Sequence, residues 1–429
     1  MGLRLPPAPP ICQKPAYSRL FCAIISCMEA SLGHRSMGIA MGLYCWSDNI
    51  GSGLPLWLPK GVAIKDALVD YLRQEQLDSG YMPVNTPHIA KSDLFHLSGH
   101  MQNYQSSMYP LMRDEDGQEY VLKPMNCPFH AEIYKSELRS YNDLPIRYAE
   151  FGHVYRYEQS GALNGVLRSR GFVQDDAHIF CSPDQVRSEI ADVLSLMKRV
   201  LVKLGFNDYR VRVSDRDDSN KYIGEVGDWK KAISEMRAVC DELGMDYEYA
   251  EGEAAFYGPK IDLLIMDSLG REWQMGTVQL DYNLPQRFGL SYINQSGGES
   301  VPVMIHRAPF GSLERLVGLL IEHYRGEFPV WLSPVQVQVL PIAERHAEYA
   351  IDVQNKLNSL RFDDRRIRAK ANCDSLRLQK RILIAEQERI PYILVVGDRE
   401  IQDNMVSVRE RNKDGLVSMG LDEFVSYMQ

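Results

Sequence analysis

The 429-residue chain contains no uninterrupted apolar run near the ~18–20 residues that cross a bilayer, so a helical membrane protein is excluded and no membrane partner is expected. It contains neither GxGxxG nor GxxxxGK followed by Ser or Thr, so a bound nucleotide would not rest on one of the common glycine-rich phosphate cradles. Cysteine is scarce: eight residues scattered from Cys12 to Cys373 form no CxxC pair. That pattern argues against a disulfide-stapled secreted fold and for a reducing compartment, the cytoplasm. Basic residues are in deficit, 48 Lys+Arg against 57 Asp+Glu for a formal net charge of −9. A protein that coats nucleic acid non-specifically is therefore disfavoured, although a local basic face is not. No internal repeat is present. Residues 1–28 lack any acid and join a PPAPP stretch to a short apolar run, Phe21 to Met28. The prolines oppose an amphipathic helix, so this segment reads as a disordered tail, or an extension ahead of a start at Met28, in preference to a signal or transit peptide.

What is present is globular: 45% hydrophobic and 24% charged residues, enough for two or three folded units at roughly 100–200 residues each. After the turn-rich GSGLPLWLPKG, the spacing of Ile64, Leu68, Tyr71 and Leu72 predicts an amphipathic helix that stops near Gly80. The two prolines of YMPVNTPHI place that strand-like run at a sheet edge or an interface. Strands are predicted at 120–122, 146–156, 177–180, 209–213, 260–266, 272–280 and 301–305, and helices at 183–204 and 228–243. Few of these form strand–helix–strand repeats. The expected fold is α+β, a mainly antiparallel sheet flanked by helices. Beyond Pro334, VQVQVLPI, two helices and YILVVG alternate over about 95 residues, the pattern of a small separate α/β domain. The expected organisation is a tail over 1–32, a first domain over 33–334 and a second over 335–429.

Two segments carry arginines in unusual settings. In RYAEFGHVYRYEQSGALNGVLRSRGFVQDDAHIF, a strand ends at Arg156-Tyr157-Glu158, a loop bears Arg168 and Arg170, and a second strand returns from Phe172. Such a hairpin can be an ordinary solvated one, or it can set guanidinium forks beside an aromatic face. In HRAPFGSLERLVGLLIEHY, Arg315 enters the first turns of a helix whose period buries Leu316, Leu319 and Leu320. An arginine held there is costly unless it meets an anion. Cys127, His178 and His306 have metal-ligand chemistry but no local spacing. On the residues alone, the cysteine reads as a small buried filler and each histidine as a satisfied core residue in preference to a ligand, and His130 competes with them as a ligand.

Taken together, these residues resemble the class II aminoacyl-tRNA synthetases, and within them the threonine-specific family, from about Gly33-His34-Arg35 to the C-terminus. The TPHI segment with Pro87 resembles the dimer-forming first motif, RYEQSG with RSRGFVQDDAHIF the second, and GSLERLVGLL the third. MNCP, QDDAH, AFYGPKID and GTVQLD are similar to segments of the threonine-specific branch. The resemblance implies a homodimer that joins threonine to ATP as threonyl-adenylate, then transfers it to the 3′ end of tRNA(Thr). It implies an antiparallel catalytic domain and an anticodon-binding domain after Val335.

By the same resemblance, Arg156, Lys260, His100 and Arg315 are catalytic. Arg156 neutralises the α-phosphate and carboxylate, Lys260 touches both, and His100 assists the ribose hydroxyl. ATP is held by Arg156, Glu158, Phe172, Gln274, Thr277 and Arg315, with Mg2+ accompanying it. Threonine is surrounded by Gln174, Asp176, Tyr257 and Gln279, and Arg411 contacts the anticodon. Cys127, His178 and His306 match the family's ligands for one Zn2+ per subunit, which threonine's amino group and hydroxyl complete while valine cannot. Serine carries that hydroxyl, and a missing methyl is worth only about 1–3 kcal/mol. The ~32 residues ahead of the HR segment cannot hold the family's ubiquitin-like and editing domains, so misacylation with serine is expected unless a separate trans-editing protein clears the product. Two positions depart from the family: Phe129 replaces the glycine after MNCP, and Gln402 replaces an acidic residue.

Two rival readings are a threonine-activating paralogue with another acceptor and a non-catalytic binding or regulatory module on the same fold. The second predicts loss of the motif arginines or the zinc-ligand residues, and all of these are present. Charge distribution fits a tRNA partner better than the total suggests. Residues 335–429 are balanced, with 15 basic and 15 acidic, and 361–381 carry eight basic against three acidic. Contact would be confined to such local bands.

Overall fold

The computed structural model describes residues 33–219, 222–267, 270–363 and 365–428. The tail expected over residues 1–32 lies outside the described residues. Helix α1 (Pro59–Asp78) forms where the apolar spacing predicts it. Proline at its start suits a position without a hydrogen-bond acceptor, and Ile64, Leu68 and Leu72 are buried on one stripe. The helix ends ahead of Gly80, whose φ of 76° lies in the left-handed region that glycine enters at little cost.

Strands β1 (Met82–Pro83), β2 (Ile146–Tyr155), β3 (Gly171–Cys181), β4 (Arg210–Asp215), β5 (Tyr247–Glu251), β6 (Lys260–Met266), β7 (Glu272–Asp281) and β8 (Val303–Ala308) form one eight-stranded sheet. The spatial order is β5-β4-β6-β7-β8-β3-β2-β1. The six inner strands pair antiparallel, as expected, while both outermost pairs, β5 with β4 and β1 with β2, are parallel. The YMPVNTPHI run does supply an edge strand, because Pro83 has no N–H to offer a further neighbour.

Three details differ from the sequence expectation. Strand β8 continues to Ala308, two residues beyond His306. The helix expected from Pro183 starts at Val186, since the backbone N–H of Ser182 donates to Gln185 Oε1 at 3.0 Å and holds a turn first. Strand β5 carries no apolar alternation and is mostly exposed, so no sequence signal marks it.

The sheet has two unlike faces. One is covered by α1, α3 (Val186–Lys203), α4 (Val226–Glu242) and α5 (Leu313–Tyr324), which share a single apolar core with it. The other is covered at one end by α2 (Cys127–Lys135) and the Asn283–Arg287 helix, packed through Ala131, Tyr134, Leu284 and Phe288. The remainder of that second face lines a cavity.

Residues after Pro334 build a second, five-stranded sheet from β9 (Val337–Pro341), β10 (Ala369–Ala371), β11 (Tyr392–Val396), β12 (Met405–Glu410) and β13 (Val417–Gly420), in the order β10-β9-β11-β12-β13. Its YILVV strand is apolar throughout because both faces are buried. Leu394 joins the core that holds Ala350, Val353 and Phe424, while Ile393 and Val395 join the one that holds Ala385. Arg368 ties the two sheets' units, donating to the carbonyls of Trp331 and Ser333 at 2.8 Å each. No helix among the described residues is long and apolar enough to cross a membrane.

Candidate active site

The period-two geometry of β3 sets Phe172, Gln174, Asp176 and His178 on the cavity-lining face of the sheet. The ladder carries this row across neighbouring strands, with His178 opposite His306 and His306 opposite Gln279. These residues line a cavity of about 410 Å3 that also receives Cys127, Arg156, Glu158, Tyr257, Gln274, Thr277 and Arg315. Residues scattered over nearly 190 positions of sequence thus meet: three adjacent strands hold one row in register, and α2, α5 and the segments after β2 and before β6 bring the others.

Cys127, His178 and His306 are all buried, and their ligand atoms lie within 4.8 Å of one another. Cys127 reaches the group from the first residue of α2, and the two histidines reach it from adjacent strands. One sulfur and two imidazoles with space beside them is the donor set of a three-ligand zinc site that keeps positions for substrate. Burial pushes the Cys127 thiol well above its ordinary range and holds His178 neutral, pushing its pKa well below the ordinary value. A cation is what would stabilise the thiolate there. His130, the competing ligand, points elsewhere: its Nδ1 meets His178 Nδ1 at 2.8 Å and its Nε2 meets Glu150 Oε2 at 3.1 Å.

Asp176 lies beside this group, with Asn126 Nδ2 donating to it at 2.9 Å. Burial raises its pKa, against the lowering effects of His130 and the Asn126 hydrogen bond. Tyr257 donates its hydroxyl to Gln279, so these two wall residues fix each other.

The arginines form the second feature. The Arg156 guanidinium sits over the rings of Phe172 and Tyr104, 5.2 and 5.8 Å from their centroids. Arg315 donates to the carbonyls of Gln274 and Leu167 at 3.0 and 3.1 Å, at the start of α5, where the Ser312 hydroxyl caps the helix by accepting from its backbone N–H. Burial, with the charges of Arg156 and Arg168 adding to it, pushes Arg315 down to about 10. A cluster of like charges in a partly enclosed cavity is a receptor for anions. Glu158 is paired with Arg168 at 2.9 Å.

Three predicted residues lie apart from the cavity wall. Lys260 is held by Asp262 Oδ2 at 2.6 Å, while Asp262 Oδ1 accepts from Gln274 and Thr277 at 2.7 Å each. His100 is fully buried behind the triad, its Nε2 3.8 Å from Cys127 Sγ and its Nδ1 2.8 Å from Ser98 Oγ; burial lowers its pKa to about 3. Arg411 opens the turn that follows β12 and donates to the carbonyls of Arg389 and Phe328 at 2.7 and 2.8 Å. Phe129 turns into a cluster with Phe95, Met108 and Val121, so it does not crowd the triad. Gln402 is exposed on a short helix.

Sequence reasoning missed the supporting acids. Glu150, Asp262 and Asp281 are each 3% exposed or less; Asp262 and Asp281 anchor predicted site residues directly, and Glu150 holds His130, which in turn meets His178. A charge inside an otherwise apolar strand, as in IRYAEF or KIDLLI, is the signal that could have found the first two.

Comparison with known proteins accounts for this geometry. Residues 108–324 match the model of the tRNA synthetase class II core domain for G, H, P, S and T, and residues 336–429 match the anticodon binding domain. The chain therefore belongs to the class II aminoacyl-tRNA synthetases. It is 50% identical over 392 residues to the threonine–tRNA ligase of Synechococcus elongatus, covering 90% of this chain and 64% of that protein. It is 48% identical over 397 residues to that of Thermus thermophilus, covering 91% and 59%. A crystal structure described as the RNA binding domain of threonyl-tRNA synthetase from Cryptosporidium parvum superposes with a TM-score of 0.87 at 36% identity, covering 92% of this chain and 97% of that one. Within the class II synthetases, the chain belongs to the threonyl-tRNA synthetase family, and it spans less than two thirds of the length of the two ligases. A prolyl-tRNA synthetase from the same parasite, at 14% identity and a TM-score of 0.69, shares the fold alone.

Proposed function

We propose that the chain is a threonine–tRNA ligase, activating threonine with ATP and transferring it to the 3′ end of tRNA(Thr). The observation that carries this reading is a single cavity lined both by the arginines Arg156, Arg168 and Arg315 and by the Cys127, His178 and His306 cluster. An anion receptor and a site able to hold zinc in one space suit a substrate pair of nucleoside triphosphate and amino acid.

Arg156, braced over two rings, faces the α-phosphate and the attacking carboxylate and offsets the charge that builds between them. Arg315 binds the far phosphates, Phe172 stacks on the adenine, and Glu158, Gln274 and Thr277 complete the nucleotide's contacts. Lys260, aimed by Asp262, supplies a second cation near the reacting carboxylate. Nucleotidyl transfer needs little covalent help, so positioning and charge carry most of the rate.

Zinc, when bound, acts as a Lewis acid that accepts an amino group and a hydroxyl, and Mg2+ accompanies the nucleotide. Asp176 accepts a hydrogen bond from the polar groups that threonine presents to the metal, and the Tyr257–Gln279 pair closes the side-chain pocket. Valine offers a methyl in place of the hydroxyl and is rejected. His100 assists the transfer step from behind the triad. Residues 33–334 act as the catalytic unit and 335–429 as the anticodon-binding one, with Arg411 near the anticodon. A homodimer forms beside the TPHI edge, where Met82 and Ile89 are exposed, and the compartment is the cytoplasm.

The test is threonine-dependent ATP–pyrophosphate exchange with valine and serine as comparators, followed by charging of tRNA(Thr). Exchange with threonine and none with valine is the expected result. No exchange with threonine sinks the reading.

A further inference from the structure

Two buried carboxylates bracket the Cys127, His178 and His306 cluster, and the chemistry above uses neither. On one side, Glu150 Oε2 lies 3.1 Å from His130 Nε2, and His130 Nδ1 lies 2.8 Å from His178 Nδ1. On the other, Asp281 Oδ2 lies 2.9 Å from His306 Nε2. The result is one continuous line, Glu150 to His130 to His178 to His306 to Asp281, with every member buried.

Ionised carboxylates only accept hydrogen bonds, and a neutral imidazole carries one donor and one acceptor. Those two facts order the protons along the line. His130 places its proton on Nε2 toward Glu150, which leaves Nδ1 to accept. His178 must then donate from Nδ1, which leaves its Nε2 bare. His306 donates from Nε2 to Asp281, which leaves its Nδ1 bare. The two bare nitrogens face each other 3.0 Å apart, with Cys127 Sγ in the same group. Lone pairs so close repel unless a cation lies beside them. The outer hydrogen bonds therefore select the one pair of tautomers that presents both nitrogens to a metal.

Each carboxylate is also anchored by donors outside the line. Asp281 Oδ1 accepts the backbone N–H groups of Asn283 and Leu284 at 2.7 and 3.0 Å. Glu150 Oε1 accepts the Thr86 N–H at 3.0 Å and the Lys123 ammonium at 3.3 Å. Thr86 directly precedes Pro87 of the TPHI segment, so one carboxylate ties that segment to a metal ligand.

We propose that the His130–Glu150 pair and Asp281 are positioning residues that fix the tautomers of His178 and His306 and so set the cluster's affinity for zinc. This rests on the zinc reading given under the proposed function. It yields an unusual expectation for amide substitutions. In Glu150→Gln, the carbonyl must stay where Thr86 and Lys123 donate, which turns the NH2 toward His130 Nε2. His130 then carries its proton on Nδ1, and His178 is left with its proton on Nε2, facing the metal position. In Asp281→Asn, the carbonyl must stay with the two backbone N–H groups, and the NH2 forces the His306 proton onto Nδ1. Either near-isosteric change turns a ligand into a donor.

The experiment measures zinc content after dialysis and zinc affinity by competition with a chromophoric chelator, on the full chain, for wild type, Glu150→Gln, Asp281→Asn and Cys127→Ser. Circular dichroism and thermal unfolding accompany each protein. About one zinc per chain in wild type, with affinity reduced about 10–100-fold in both amide variants and secondary structure unchanged, is the expected result. Wild-type affinity in both amide variants, whether or not their unfolding temperature drops, overturns the proposal and leaves the zinc reading intact. Wild type that binds zinc no better than Cys127→Ser overturns the zinc reading itself, and the proposal with it. Because the two variants act from opposite ends of the line, misfolding of one leaves the other to decide.

Discussion

Asp262 and Lys260 lie two residues apart on the same face of β6, and the Asp262 carboxylate accepts from the Lys260 ammonium at 2.6 Å. Its other oxygen holds Gln274 and Thr277 from the neighbouring strand at 2.7 Å each. One carboxylate, 2% exposed, thereby orients two side chains assigned to the nucleotide and the lysine assigned to the reacting carboxylate. A lysine left alone would sample its four-carbon stem freely, and misplacement of about 1 Å can cost on the order of 100-fold in rate. Asp262→Ala is expected to lower kcat for ATP–pyrophosphate exchange by about 10–100-fold, with KM for threonine little changed. Steady-state exchange kinetics check this, and an unchanged kcat refutes it.

Gly152 faces Asn126 so closely that an added Cβ would lie 2.5–2.7 Å from the carboxamide atoms. The crowding atoms end a side chain, so Gly152→Ala should cost only about 1–3 kcal/mol of stability while pushing Asn126 aside. Asn126 donates to Asp176, and without that bond the buried carboxylate is harder to keep ionised. KM for threonine should rise about tenfold, the equivalent of ~1.4 kcal/mol, while KM for ATP stays near wild type. Equal changes in both constants would point to general distortion instead.

The arginine-bearing part of the wall was legible from the residues themselves, while Gln174, Asp176, Tyr257, Gln274, Thr277 and Gln279 were assigned only through the family resemblance. Phe172, Gln174, Asp176 and His178 alternate along one stretch of sequence, and Arg315 declared itself by sitting among leucines. The meeting of Cys127 with His178 and His306 was not legible from spacing, since it depends on which strands become neighbours. Only the family resemblance linked them. Strand order and register are settled by long-range pairing, which leaves no local mark. The supporting acids escaped for a related reason: apart from the Lys260–Asp262 contact within β6, Glu150, Asp262 and Asp281 reach site residues through partners on other strands or helices.

Arg411 was assigned to anticodon contact, yet its guanidinium already bridges the two units through the carbonyls of Arg389 and Phe328. Burial lowers its pKa. Removing the fork leaves the carbonyl of the buried Phe328 short of a donor, at about 1–3 kcal/mol, whereas the exposed bond to the Arg389 carbonyl is replaced by water. Arg411→Ala should therefore lower the unfolding temperature measurably in the absence of tRNA, and Arg411→Lys should not restore it, because a single ammonium cannot span both carbonyls. Thermal unfolding without ligand reads this directly. A variant as stable as wild type that loses only tRNA affinity would assign the residue to recognition alone.

Arg156 and Arg315 share a wall with Arg168, and their mutual repulsion adds to burial in drawing Arg315 down to about 10. The ligand-free protein carries that repulsion; an anionic substrate relieves it. Arg315→Gln should consequently leave the free protein as stable as wild type, or more so, while removing most of the stabilisation that ATP gives. Arg156→Ala should remain folded and lose the activation step, by at least the 10²–10³-fold, about 2.7–4 kcal/mol, typical of deleting one donor to developing charge. Thermal shifts with and without ATP, set beside exchange rates, separate the two effects. If Arg315→Gln destabilises the free protein and keeps the ATP shift, the arginine is a structural clamp on Leu167 and Gln274, and the phosphate role passes to its neighbours.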